Sequence, residues 1–370
     1  MPPETALAEE SLPQSLAQSL AHRIRVFGPL TVEQYMREVL THPKHGYYVA
    51  QQPFGTRGDF VTAPEVSQMF GELIGAWMVH AWQTMGSPRA VRLVELGPGR
   101  GTLMRDLLRA AAPMRDVATV HLVEISDSLA RVQRETLASG TWDVAWHRSF
   151  DDVPPGPLLL VANELFDALP VRQFVRSGAA WHERLVDADE HGQFRFVRSP
   201  QPSPAAALLP PEVRENAPNT VAEVSPDSVA LAARIGERIV RDGGGALVID
   251  YGATAFGARD TLQAVAGHRR HEVLADPGTA DLTAHVDFAL LARAASQTGA
   301  RTLGPVLQRD FLLQLGLRQR AEALGRANPL KQTEIAAAVE RLTADDQMGT
   351  HFKVLGMVHP GLPALPGFGA

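Results

Sequence analysis

Cysteine is absent from all 370 residues. That excludes a disulfide-stapled scaffold, a thiolate zinc site and any mechanism that needs a cysteine nucleophile. A surplus of positive charge is missing too. The formal net charge is -6, so no overall positive field gathers phosphate backbones, and nucleic acid is not an expected partner. The longest apolar run, residues 69–82, is interrupted by Glu72 and His80 and is too short for a membrane span. Residues 1–10 are acidic and carry neither an apolar targeting core nor an arginine-rich amphipathic pattern, so a cytoplasmic protein is expected. His42 with His45, and His268 with His271, form close pairs without a third ligand nearby, and no metal site is expected. Apolar side chains are plentiful at 45% of the chain, enough to bury a substantial core in one elaborated domain or two.

The chain is organised around Val91-Arg92-Leu93-Val94-Glu95-Leu96-Gly97-Pro98-Gly99-Arg100-Gly101-Thr102. A leucine- and valine-rich run stops in three alternating glycines, and Leu103, Met104, Leu107 and Leu108 resume at helical spacing: strand, tight loop, helix. Gly97, Gly99 and Gly101 carry no Cβ, so the backbone can approach a ligand closely. NAD, FAD and S-adenosylmethionine (SAM) all use such a loop. A dinucleotide fingerprint wants a small residue where this chain has Thr102. SAM has no phosphate to seat and needs close backbone approach more than an anion hole. A second strand, Thr119 to Val123, ends in Glu124, placed to accept hydrogen bonds from ribose hydroxyls in either cofactor.

The next buried run, Pro157 to Ala162, leads into Asn163-Glu164-Leu165-Phe166-Asp167. Acids stand just past a strand's C-terminal end, where open α/β sheets place their chemistry. GDFVTAPEVSQMFGELIG, VELGPGRGTLMRDLLR, ANELFDALPV, ALVIDYG, ADPGTADLTAHVDF and MGTHFKVLGMV together resemble the MidA family over roughly residues 20–360. These are class I SAM-dependent methyltransferases related to a mitochondrial assembly factor for respiratory complex I. The resemblance implies methylation of an arginine on a complex I subunit and makes Asp59, in the Gly-Asp-Phe block, a cofactor or substrate contact. Protein arginine methyltransferases are similar in carrying acids after the fourth strand, where carboxylates hold a guanidinium. Glu164 is the obvious counterpart here.

The expected fold is α/β: a Rossmann-like class I methyltransferase sheet with an N-terminal helical cover, a β insertion after the fourth strand and a helical insertion before the last. Helices are expected over 12–27, over 32–41 after a Thr31–Gln34 capping box, and as one piece from Pro64 to Trp82. In that last helix Gly71 and Gly75 read as simple core packing rather than as a close helix contact. The loop between the second and third of these helices, residues 44–63, is read as covering the cofactor. The expected divisions are 1–85 for cover and loop, 86–170 with 219–370 for the core, 310–349 for its helical insertion and 171–218 for the β insertion.

Glu164 and Asp167 are the expected catalytic residues. Asp59, Glu95, Gly97, Gly99, Gly101, Glu124 and Asn163 are expected to hold SAM, and Asp276 and His285 to line the substrate's mouth. The expected partner is a protein substrate, and a homodimer is compatible with the sequence. Two other readings share the cofactor site: a SAM-binding assembly chaperone without turnover, and an NAD(P) oxidoreductase, which Thr102 and the Asn163–Asp167 block count against.

Overall fold

The computed structural model describes residues 15–50, 62–215 and 220–369. Helix α1, Leu16–Phe27, starts on a capping box between Ser15 and Gln18. Helix α2, Val32–Thr41, starts on the expected Thr31–Gln34 pair, with Val32, Tyr35, Met36, Val39 and Leu40 all buried. Most of the expected covering loop, and Asp59 with it, lies outside the described residues; its first part is a helical turn at Tyr47–Ala50.

The single helix expected from Pro64 is two. Ala63–Val66 is one turn, and Ser67 adopts an extended backbone (φ -162°, ψ 140°) and caps a second start. Its hydroxyl accepts from the Met69 amide at 3.2 Å, so the serine side chain offers the backbone an alternative to continuing the turn. Helix α3, Gln68–Thr84, lies against α4, Thr102–Ala110. The glycine pair serves a close helix contact: a Cβ at Gly75 would stand 2.4 Å from the Leu107 carbonyl oxygen, and one at Gly71 2.7 Å from Asp106 Cβ.

The central sheet contains β1 Val91–Leu96, β2 Ala118–Val123, β3 Val144–His147, β4 Leu158–Asn163, β5 Gly244–Ala253, β6 Arg301–Leu307 and β7 Phe352–Val358, in the order β3-β2-β1-β4-β5-β7-β6. Of these seven, β7 alone runs opposite to the other six. The order reverses between β1 and β4, which opens a crevice at their C-terminal ends. One face packs on α3 and α4. The other packs on helices α6, Pro226–Asp242, and α7, Phe288–Gln297, while α5, Asp127–Leu137, follows β2.

The β insertion forms as a meander of Arg172–Ser177, Ala180–Ala188 and Phe194–Arg198. It reaches beyond residues 171–218, because Leu30–Thr31 and Val221–Val224 pair with it and satisfy backbone groups a bare meander would leave open. A three-stranded sheet of Gln263–Ala266, Arg269–His271 and Asp281–Thr283 was not foreseen, since its short polar strands carry no alternation to read. Between β6 and β7 stand α8 Gln308–Gln314, α9 Leu317–Ala327 and α10 Gln332–Thr343. Arg320 on α9 ties this unit to the buried Glu72 of α3 at 2.7 Å, and Arg109 of α4 reaches the same carboxylate at 3.1 Å. Among the described residues no helix is long and apolar enough to cross a membrane.

Gly75→Ala should lower stability by about 1–3 kcal/mol, because α4's backbone must shift to admit the methyl group. A fall in the urea midpoint at unchanged slope is expected; an unchanged midpoint would remove the close α3–α4 contact from the account.

Candidate active site

A cleft of about 470 Å³ opens at the ends of β1, β2, β4 and β5, completed by Tyr48 and Thr62, by Asp227, Leu231 and Arg234 of α6, and by Asp281. Gly97 (φ 64°) and Gly99 (φ 53°) line it in left-handed conformations that disfavour any other residue. Glu124 ends β2 with its carboxylate fixed: one oxygen accepts from the Ser126 amide at 2.8 Å, the other from Gln133 Nε2 at 3.0 Å. The same Gln133 nitrogen donates to the Gly99 carbonyl at 2.8 Å, so one side chain of α5 ties the strand-end acid to the glycine loop. Burial pushes the Glu124 carboxyl up from its usual range. Arg148 donates to the Ile125 carbonyl and pairs with Asp127 beside it.

The other half of the cleft is built on β4 and β5. Glu164 holds a left-handed backbone (φ 51°), a conformation that costs about 1–3 kcal/mol for a non-glycine residue and persists where the surroundings over-determine it. Those surroundings are specific. The Glu164 amide donates to the Ile249 carbonyl at 2.9 Å, and its Oε1 accepts from the Ala63 amide and from Asn163 Nδ2, each at 3.1 Å. Enclosure by protein pushes the Glu164 carboxyl up to about 7, with Asp167 adding to the rise and the Ala63 amide opposing it. Burial likewise raises Asp167 to about 6.

Beneath them, Asp250 is fully buried, the last buried residue of β5. Its Oδ2 accepts the Phe166 and Asp167 amides at 3.0 and 3.2 Å, and its Oδ1 the Tyr251 amide at 2.9 Å. Tyr251 lines the cleft beside Asp167, with its hydroxyl buried.

Of the residues expected from the sequence, Gly97, Gly99, Glu124, Glu164 and Asp167 line this one cleft. Three others stand behind it. Glu95 is 3% exposed and accepts the Met104 amide, supplying to the start of α4 the cap that Gly101 has no side chain to give. Gly101 faces Gln133, and Asn163 braces Glu164 while its own Oδ1 is buried without a partner among the described residues. Asp276 and His285 do not line the cleft. The Asp276 side chain is 74% exposed, 3.6 Å from His271, and His285 packs edge-on against Tyr251, which stands between it and the acids. Gln133, Tyr48, Asp250, Tyr251 and Asp281 were missed; for Asp250 the signal was available, an acid closing the buried run of a strand.

The cavity fits the cofactor the sequence suggested. Two Cβ-free positions allow close backbone approach, and a fixed carboxylate faces the space a ribose needs. Fold and site together define a SAM-dependent methyltransferase. The family model described as "Putative S-adenosyl-L-methionine-dependent methyltransferase" matches residues 73–306, and the chain belongs to that family. It is 41% identical to "Protein arginine methyltransferase NDUFAF7 homolog, mitochondrial" of Drosophila melanogaster, over 98% of this chain and 89% of that one. The human protein of that name is 37% identical, over 93% and 83%. A Burkholderia thailandensis crystal structure with S-adenosyl-homocysteine bound matches with a TM-score of 0.83 at 30% identity, covering 95% of this chain and 93% of that one. The cytoplasmic expectation is corrected by the same comparison: these relatives are named as mitochondrial proteins, so an acidic first segment was no guide to the compartment.

Glu124→Ala should weaken SAM binding by about 1–3 kcal/mol through loss of charged hydrogen bonds to ribose. Calorimetry on the folded variant checks this, and wild-type affinity would reduce Glu124 to a strand-end acid. A pH effect follows from Glu164. Its carboxyl rises from 4.5 to about 7 on folding, so the folded chain holds a proton that the unfolded chain has released. The stability this contributes is complete below about pH 4.5 and lost as pH rises through 7. Wild type should therefore lose stability relative to Glu164→Gln across that window in urea titrations without ligand; a constant difference would contradict the raised carboxyl.

Proposed function

We propose that the protein methylates a guanidinium nitrogen of an arginine in a protein substrate. The observation that carries this is the pair of enclosed acids Glu164 and Asp167 on a cleft wall that also carries Glu124, Asp227 and Asp281 against two guanidinium groups, Asp227 being paired with Arg37 at 2.8 Å. Both guanidinium groups already face acids, Arg148 toward Asp127 and Arg234 toward Asp151 at 3.7 Å. Buried carboxylates cost several kcal/mol each in desolvation unless a cation compensates them, so the ligand that fits is positive. A guanidinium, planar and with five N–H donors, meets spread carboxylates better than an ammonium does. The curated relatives, named as protein arginine methyltransferases, support the same acceptor.

Gly97, Gly99 and Glu124 would hold SAM, which when bound supplies an electrophilic methyl group and leaves as the neutral thioether. Glu164 would orient the guanidinium and draw its positive charge onto the far nitrogens, leaving the attacking nitrogen more nucleophilic. Asp167, raised to about 6, is suited to accept the proton that this nitrogen gives up. The residues' main contribution is alignment and exclusion of water. From the family resemblance, we propose a subunit of respiratory complex I as the protein carrying the arginine.

Glu164→Gln keeps the shape and the Oε1 acceptor but removes the charge. SAM should still bind, while methyl transfer falls at least about a hundredfold, roughly 2.7 kcal/mol of transition-state stabilisation. Radiolabelled transfer to complex I subunits, with the modified residue mapped by mass spectrometry, is the test. Equal transfer by both proteins removes Glu164 from the mechanism. Label on lysine or glutamine overturns the arginine reading, and a tightly bound but unlabelled partner replaces the enzyme with a chaperone.

A further inference from the structure

The geometry points to a basic rim, formed by Arg259, His285, His351 and Lys353, that docks a carboxylate of the substrate protein a few residues from the acceptor arginine. This rests on the reading of the acceptor as an arginine in a protein. Tyr251 sets the rim beside the cleft. It belongs to the cleft wall, and its ring meets His285 edge-on with centroids 5.5 Å apart and Phe352 at 5.6 Å. Phe352 begins β7 between His351 and Lys353; in the β5–β7 pairing it stands opposite Tyr251, and Lys353 stands opposite Asp250. The His285 amide donates to Thr261 Oγ1 at 2.8 Å, which brings the segment carrying Arg259 to the same place. His285 and His351 are exposed, Arg259 and Lys353 half-buried. Partial enclosure holds the His285 imidazole below its usual range, and the charges that add to this are all basic: Arg259, Lys353 and His351.

Neither fixed cation of the rim has a counter-ion among the described residues. Lys353 Nζ donates to the Thr350 and His351 carbonyls at 2.6 and 2.8 Å, and enclosure lowers its pKa, while Asp250 across the sheet is committed to three backbone amides. Arg259 donates to the Ala255 and Gly257 carbonyls at 2.9 and 3.5 Å. The neighbouring acids are engaged elsewhere. Asp260 pairs with Arg184 at 2.9 Å, and Asp287 caps α7 by accepting the Leu290 amide at 2.9 Å, its charge reaching Arg259 without an ion pair. A solvated surface cation needs no partner, which would account for Arg259 alone. It does not account for Lys353, half enclosed with its ammonium on backbone carbonyls, where a carboxylate would offset the lost water. Wall and rim thus carry opposite signs, with Glu164 and Asp167 on one side of Tyr251 and cations on the other. A substrate with an arginine and an acid close by matches both, whereas a polybasic segment is repelled by the rim. Four residues of extended chain span roughly 13 Å, enough to pass the Tyr251 ring.

The experiment measures binding of fluorescent peptides to the full chain saturated with S-adenosyl-homocysteine. Each peptide has a central arginine in a glycine-serine background, with a single glutamate, or glutamine as control, walked from four positions before it to four after. Wild type should bind at least one glutamate peptide about fivefold or more tightly than its glutamine control. A variant carrying both Arg259→Gln and Lys353→Gln should reduce that preference to less than about twofold, with the glutamine peptides and S-adenosyl-homocysteine bound within about twofold of wild type. No glutamate preference at any position in wild type overturns the proposal, and so does a preference that persists in the variant. The same peptides with citrulline in place of arginine separate the two readings: equal binding of the citrulline and arginine peptides removes the acceptor reading, and the rim's role falls with it. Should the double variant fail to fold, Arg259→Gln alone decides; it should at least halve the preference, and an unchanged preference there overturns the proposal.

Discussion

The acceptor side of this cleft depends on one buried carboxylate that never reaches it. Asp250 is the last buried residue of β5, has no exposed surface and gives its oxygens to three backbone amides, those of Phe166, Asp167 and Tyr251. Two neighbouring strands of a parallel sheet thus have their outgoing chains fastened together at the point where the crevice opens. The loop after β4 has little freedom once those amides are held. Its tight path is what keeps Glu164 in a left-handed backbone, with its carboxylate directed to the Ala63 amide and the cleft. Such strain survives only where the surroundings fix it, and here they are a buried acid and a neighbouring strand.

Gathering acids in this way works against folding. Enclosure raises Glu164, Asp167 and Asp250; the charge of Asp167 raises Glu164 further, and Asp167 and Glu164 both raise Asp250. The apoprotein therefore carries unfavourable electrostatics that a cationic ligand relieves, which ties acceptor recognition to the same residues that orient it. The cofactor side is different. Gln133 joins Glu124 to the Gly99 carbonyl, so the ribose acid and the glycine loop are set before any ligand arrives.

Much of the cleft was legible because it lies at strand ends adjoining the motifs. The glycine loop, Glu124, Glu164 and Asp167 each follow directly from a buried run, and strand-end position is a physical rule in open α/β sheets. The capping boxes at Ser15 and Thr31 were equally local. Tyr48 and Asp281 were not legible, because they reach the cleft through tertiary pairing of a helical turn with a short polar sheet. Asp276 and His285 lie close to Asp281 in sequence, but the strand between them turns Asp281 inward and leaves Asp276 in solvent. Glu95 shows the converse: it immediately precedes the glycine loop, yet helix capping takes it behind the site. Ser67 broke a helix whose apolar spacing runs on through the break.

The most direct test of a cation-binding acceptor site is a crystal structure of the protein with S-adenosyl-homocysteine and an arginine peptide. The guanidinium should lie against the carboxylates of Glu164 and Asp167, with one terminal nitrogen facing the cofactor's sulfur and Gly97, Gly99 and Glu124 around the nucleoside end. A guanidinium seated away from both carboxylates, with those acids turned to protein partners or to water, would contradict the account.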